Sequence, residues 1–373
     1  MQKKLIALAV AGLVSAPVFA QSNIQIYGVA DAYFKGGKFM GDDTMGVASG
    51  GLMGSRLGFR GEEDLGSGLK AVFVLEQGIN IDTGKSQGMT LVDSSANSDG
   101  DQTFTRQAYV GLKGNFGQVA LGRQYAPGYF TADYDALLSA PGISPMSLLS
   151  NFTKLTITPT AAARWNNSVT YNGTFQSVSV AGIYSAGNRE TDEKGGPDYT
   201  DDDKYGVSLK YDNGPLKIGG IYQAVKFKDV ADETQKEWLI GASYNFGMAT
   251  LAGSYQQGRD VMGVNGFDVD LWQVGVIVPV GAGNIHVAYA QGDVDKANLL
   301  QDDVKPKSFT VAYTHALSKR TTGYVGYTKV DYDDLLWREA GVLGNVDNKL
   351  NGHAGTEKVD DTDLFYVGIN HKF

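Results

Sequence analysis

The 373-residue chain has no cysteine, so neither a disulfide nor a thiolate-bound metal is available to it. Proline is scarce, at 9 residues, whereas glycine reaches 49 and Tyr and Phe number 20 and 16. That balance argues against a helical protein and for many strands joined by turns. Past the first residues, no segment carries about 18 uninterrupted apolar residues, which excludes a transmembrane helix but leaves open a crossing made of strands. Histidine is rare as well. His286, His315, His353 and His371 stand in no triad-like pattern with a serine and an acid, and neither H-E-x-x-H nor H-x-x-E-H occurs. Gly281-Ala282-Gly283 lacks the third glycine of a nucleotide-binding turn, and Asp293 and Asp295 lack the downstream Gly and Glu of a calcium loop. No catalysis, cofactor or metal site is therefore expected. The acidic runs Asp198 to Asp203 and Asp360 to Asp363 read as solvated loop charges.

What is present begins with MQKKLIALAVAGLVSAPVFA. Lys3 and Lys4, an apolar run from Leu5 to Val14, and Val18-Phe19-Ala20 form a secretory signal peptide over 1–20. Its removal takes away two lysines and no acid, leaving 30 basic against 41 acidic residues over 21–373. An exported, acidic chain is a poor nucleic-acid binder.

Period-two alternation recurs throughout. Tyr205, Val207, Leu209 and Tyr211 interleave with Gly206, Ser208 and Lys210, and after Asp212-Asn213-Gly214-Pro215 the pattern resumes at Leu216. Extending this reading gives sixteen strands, from Asn23–Phe34 to Asp363–Phe373. Their connections alternate strictly between short turns, such as Gly114 to Gly117, and long polar loops, such as Lys35 to Gly54 or Asn80 to Gln102. A soluble sandwich gives no reason for that asymmetry. Outer-membrane barrels do, because all their turns lie on one side and all their loops on the other. The expected architecture is all-β, a single antiparallel transmembrane barrel of sixteen strands in the cell outer membrane. Phe365, Val367, Ile369 and Phe373 share one face of the last strand, which would let the chain's end close onto its beginning.

Ser55-Arg56-Leu57-Gly58-Phe59-Arg60-Gly61-Glu62-Glu63-Asp64-Leu65-Gly66 and Phe104-Thr105-Arg106-Gln107-Ala108-Tyr109-Val110-Gly111-Leu112-Lys113-Gly114-Asn115-Phe116-Gly117 resemble the general diffusion porins of β-proteobacteria, the neisserial and Comamonas-type group. Tyr211 to Leu216, Gly241 to Gly247 and Leu317 to Thr321 extend the resemblance, which runs from Ile24 to Phe373 outside the long loops. It implies a homotrimer, a third loop folded into the lumen, and Phe373 as a signal to the barrel-assembly machinery. Asn370 departs from the pattern, which usually has Arg there.

Lumenal charges tune selectivity in such pores. Arg56 and Arg60 are four apart in one strand, opposite Leu57 and Phe59, so both should face the lumen; Arg164 shares a face with Asn166, Ser168 and Thr170. Arg106 breaks the alternation, falling with Ala108, Val110 and Leu112. Because Arg on the mid-membrane lipid face costs about 2–4 kcal/mol, it too is assigned to the lumen. The resemblance implies that Arg56, Arg106 and Arg164 form a cationic wall at the constriction. The connection Tyr125 to Ala163 spans 39 residues, carries little charge and suits a loop lying inside the barrel. Its Asp133 or Asp135 would face the arginines across the opening, or else cap a short helix near Tyr134 to Ser139. The expected activity is passive diffusion of small hydrophilic solutes and inorganic ions, with anions preferred. A substrate-specific channel, or an adhesin or receptor role of the loops, is the alternative.

Overall fold

The computed structural model describes residues 23–87, 103–186, 202–227, 233–297, 299–300, 302–336, 339 and 356–373. The expected signal peptide lies outside them, as does most of the acidic run before Asp202. Strands follow in chain order: β1 Asn23–Phe39, β2 Asp42–Ser49, β3 Arg56–Gly66, β4 Leu69–Ile79, β5 Ser86–Gln87, β6 Gln107–Gly114, β7 Gly117–Tyr125, β8 Arg164–Phe175 and β9 Val178–Ser185. The series continues with β10 Lys204–Asn213, β11 Leu216–Lys226, β12 Thr234–Asn245, β13 Thr250–Arg259, β14 Val269–Val280, β15 Gly283–Val294, β16 Lys307–Ala316, β17 Thr321–Asp331 and β18 Thr362–Lys372.

Each strand pairs antiparallel with its neighbours, and β1 closes the ring against β18, with Val29 opposite Lys372. The backbone of Phe373 completes the seam, its N–H donating to Gly28 O at 3.1 Å and its carbonyl accepting from Gly28 N at 3.0 Å. Without β2 and β5, the wall has sixteen strands, which leaves no free edge. The expected loop from Lys35 is partly a hairpin instead. β1 runs on to Phe39, turns through Met40 and Gly41 at φ of 53° and 90°, and pairs back along β2. Gly36 and Gly37 hide this continuation from a pattern search, since they erase the alternation without breaking the ladder.

Alternation sets the two faces. Ile24, Ile26, Leu209, Ile240 and Val367 stand exposed on the outside, where lipid would cover them. Aromatic pairs extend round this face: Tyr205–Tyr222, Trp238–Tyr255 and Trp272–Tyr289, with ring centroids 6.3, 5.2 and 5.4 Å apart. Such a girdle suits a membrane interface, where an apolar ring body meets a wet edge. Inward residues such as Gln223, Glu237, Gln256 and Thr310 are buried by something within the barrel.

That cover is the long connection after β7. Its helix α1, Pro145–Phe152, begins with Pro at its first turn and is capped by Ser144, whose Oγ accepts from Ser147 N at 3.3 Å. The segment is strapped along one side of the inner wall. Gly128 N donates to Gln223 of β11 (2.6 Å), Gln273 of β14 donates to Tyr134 O, and Thr310 of β16 donates to Ile143 O (2.8 Å). Thr156 N and Ile157 N donate to the Glu237 carboxylate of β12 at 2.7 and 2.9 Å. His286 Nδ1 lies 2.7 Å from Ala136 O; a carbonyl only accepts, so Nδ1 carries the proton. Leu149, Leu155 and Ile157 fill the interior against Leu239, Leu271 and Ala290. The helix thus stands at 145–152, not at 134–139. There, Leu138 and Ser139 take left-handed φ values of 55° and 56°, and Asp135 holds the turn by accepting from Leu137 N and Ser139 N.

Candidate pore lining

The interior holds a cavity of about 1000 Å³, whose wall includes Arg56, Arg60, Glu76, Lys113, Tyr129 and Asp133. On β3, Arg56 and Arg60 are held inward because Leu57 and Phe59 take the outer face. Arg60 Nε donates to Gln25 Oε1 at 3.0 Å, and its guanidinium sits 4.9 Å from the Tyr27 ring. The Arg56 side chain makes no hydrogen bond or ion pair among the described residues, although its charge acts on Glu76 and Tyr129.

Arg106 lies just before β6 and is therefore released from the strand's alternation; its backbone N–H donates to Glu76 O at 3.0 Å. Its side chain turns inward, with Nε 2.8 Å from Glu76 Oε1 and Nη2 donating to the Tyr129 hydroxyl at 2.8 Å. Glu76 also accepts from the hydroxyls of Tyr27 (2.9 Å) and Tyr125 (2.8 Å). The rings of Tyr125 and Tyr129 stack at 3.9 Å and 12°, and the Arg164 guanidinium lies 6.0 and 5.9 Å from their centres. Burial pushes the Tyr129 phenol up, but Arg106, Arg164 and Arg56 outweigh it and hold the group below the ordinary phenol range.

The structure therefore brings Arg56, Arg106 and Arg164 to one locus, with a difference from expectation. Arg56 reaches the open cavity, whereas Arg106 and Arg164 are 1% and 7% exposed, beneath the tyrosine stack and Glu76. The acids also differ. Asp133 does not face the arginines; it accepts from Lys210 Nζ at 2.9 Å and Lys217 Nζ at 2.6 Å. Burial raises its carboxyl, and those lysine bonds more than compensate, leaving it below the usual carboxylate range. Asp135 does not belong to the opening at all. It is 2% exposed, its oxygens are taken by Leu137 N, Ser139 N and the Ser144 hydroxyl, and its contribution is to loop geometry.

The site also includes residues that the sequence pattern does not single out: Glu76, Lys113, Lys210, Lys217 and the Tyr125–Tyr129 pair. Lys210 and Lys217 were within reach, since each occupies the polar face of an alternating strand. Glu76 gave less signal, sitting at the end of the run Val72-Phe73-Val74-Leu75.

A closed barrel with an apolar, aromatic-girdled exterior and a charged, water-accessible interior defines an outer-membrane channel. The chain belongs to the Gram-negative porin family, whose model matches residues 7–335. It is 35% identical over 382 residues to outer membrane porin protein 32 of Delftia acidovorans, with both chains covered completely. It is 27% identical over 389 residues to major outer membrane protein P.IB of Neisseria meningitidis serogroup B, again over all of both. Among solved structures, the anion-selective porin from Comamonas acidovorans matches with a TM-score of 0.70 and 29% identity, covering 95% of this chain and 100% of that one. The protein is an outer-membrane porin, a water-filled passage for passive diffusion.

Proposed function

We propose that this porin passes small hydrophilic solutes and inorganic ions with a preference for anions. One observation carries the reading: Glu76 and Asp133, the carboxylates that line the cavity, each bond a cation, whereas neither Arg56 nor Arg60 stands within ion-pair distance of a carboxylate among the described residues. Glu62 is held by Lys70 and Lys113, Glu76 by Arg106, and Asp133 by Lys210 and Lys217. Fixed positive charge therefore faces the water path, and it attracts anions over the roughly 8 Å across which physiological salt leaves charges unscreened. Similarity to a porin described as anion-selective supports the same reading. Arg106 and Arg164 add to the field from behind the tyrosines.

The wider reading includes removal of residues 1–20 on export, assembly as a homotrimer, and recognition of Phe373 by the barrel-assembly machinery. The protein acts as a conduit and not as a catalyst, as membership of a channel family supports. Single-channel conductance tests the selectivity. At fixed potassium, conductance should fall through chloride, acetate and gluconate as anion mobility falls. Dependence on the cation at fixed chloride, with no dependence on the anion, would overturn it.

A further inference from the structure

A second cavity, of about 160 Å³, lies between α1 and strands β1, β17 and β18, and shares no lining residue with the arginine-lined one. Its walls are largely aromatic and aliphatic: Tyr33, Phe39, Leu148, Phe152, Tyr332 and Tyr366. Tyr33 and Tyr366 meet edge to face at 6.3 Å, so the pocket already has the packing geometry a further ring would join. An apolar cavity of about 150 Å³ is the size that admits one benzene ring.

The polar groups narrow the choice. Thr362 Oγ1 is already engaged by Met40 N (2.8 Å) and the Tyr332 hydroxyl (3.0 Å), and Thr328 Oγ1 by Thr310 (2.8 Å). Asn151 and the hydroxyls of Tyr33 and Tyr366 also border the pocket, still fewer than the many hydrogen-bond partners a sugar needs. Lys35 also lines the pocket. Its ammonium lies 5.9 Å from the Phe39 ring centre and has no carboxylate partner among the described residues. One unpaired cation beside a ring-sized apolar space is complementary to a molecule with one aromatic ring and one negative charge.

We propose that this pocket binds single-ring aromatic carboxylates of benzoate size, the ring between α1 and the wall and the carboxylate on Lys35. The site is separate from the selectivity locus and does not depend on anion preference. It would retain such solutes within the channel beside the diffusion path.

Saturation-transfer NMR on the detergent-solubilised porin, titrated with sodium benzoate, tests the assignment. Benzoate should bind saturably, while acetate, which lacks the ring, and benzyl alcohol, which lacks the charge, should bind at least about tenfold more weakly. Lys35→Gln should weaken benzoate about tenfold, and Lys35→Arg should restore most of the loss. Leu148→Phe, which fills the pocket, should abolish binding, whereas Arg56→Ala should leave it unchanged. An unchanged far-ultraviolet circular dichroism spectrum of each variant would show that the barrel is intact. Absence of benzoate binding to the wild type, binding lost in Arg56→Ala but kept in Lys35→Gln, or binding unaffected by Leu148→Phe would each overturn the proposal.

Discussion

Arg106 Nε stands 2.8 Å from Glu76 Oε1, with the two side chains only 1% and 4% exposed. A pair so far out of water is strongly interdependent. Removing either partner leaves a buried charge without compensation, which costs about 3–5 kcal/mol, whereas replacing both by apolar groups of similar size costs far less. Glu76→Gln and Arg106→Ala should therefore each lower thermal stability, and Glu76→Leu combined with Arg106→Met should recover most of the loss. Thermal unfolding followed by circular dichroism reads this. A double variant as unstable as the sum of the singles would contradict an interdependent pair.

Tyr134 anchors the inward loop by lying on glycines. A Cβ added at Gly241 would stand 2.4 Å from Tyr134 Cγ and 2.6 Å from its Cβ, and one at Gly219 would stand 2.1 Å from its hydroxyl. Gly241→Ala should cost about 1–3 kcal/mol through overpacking. It should also push the loop from β12 toward the channel axis and reduce single-channel conductance. Unchanged conductance would mean that Tyr134 does not set the loop's position.

Asp133 supplies a pH dependence whose sign is fixed by its shift. Its carboxyl lies below the ordinary range in the folded protein, so its bonds to Lys210 and Lys217 are present above the unfolded carboxylate pKa and are lost as pH falls through the lowered folded value. The loop should stay anchored through neutral and mildly acidic pH. Open-channel current noise should rise only in strong acid, and Asp133→Asn should show that raised noise already at pH 7. Equal noise in variant and wild type at pH 7 would contradict the anchoring role.

The barrel was legible because one physical constraint, an apolar exterior against a polar interior, acts at every second residue of each strand. Arg56 and Arg60 followed directly, opposite Leu57 and Phe59. What the pattern could not carry is pairing across long separations. Asp31 is buried and accepts from Gly51 N, Met53 N, the Tyr324 hydroxyl and Asn370 Nδ2, at 3.0, 3.0, 2.7 and 2.8 Å. Asn370 had stood out only as a departure from a resemblance, and its partner lies 339 positions away. Asp135 stays open between two readings in the sequence for a similar reason, since an acid in a loop reads the same whether it faces a pore or caps its own backbone.

The central claim is that two arginines on β3, neither in ion-pair contact with a carboxylate among the described residues, make the opening prefer anions. The most direct measurement is the reversal potential across a planar bilayer under a KCl gradient, for the wild type and for Arg56→Ala combined with Arg60→Ala. The wild type should reverse on the chloride side of zero, and the double variant should move toward zero while keeping its thermal stability. A wild-type reversal potential on the potassium side, or a double variant with unchanged selectivity, would contradict it.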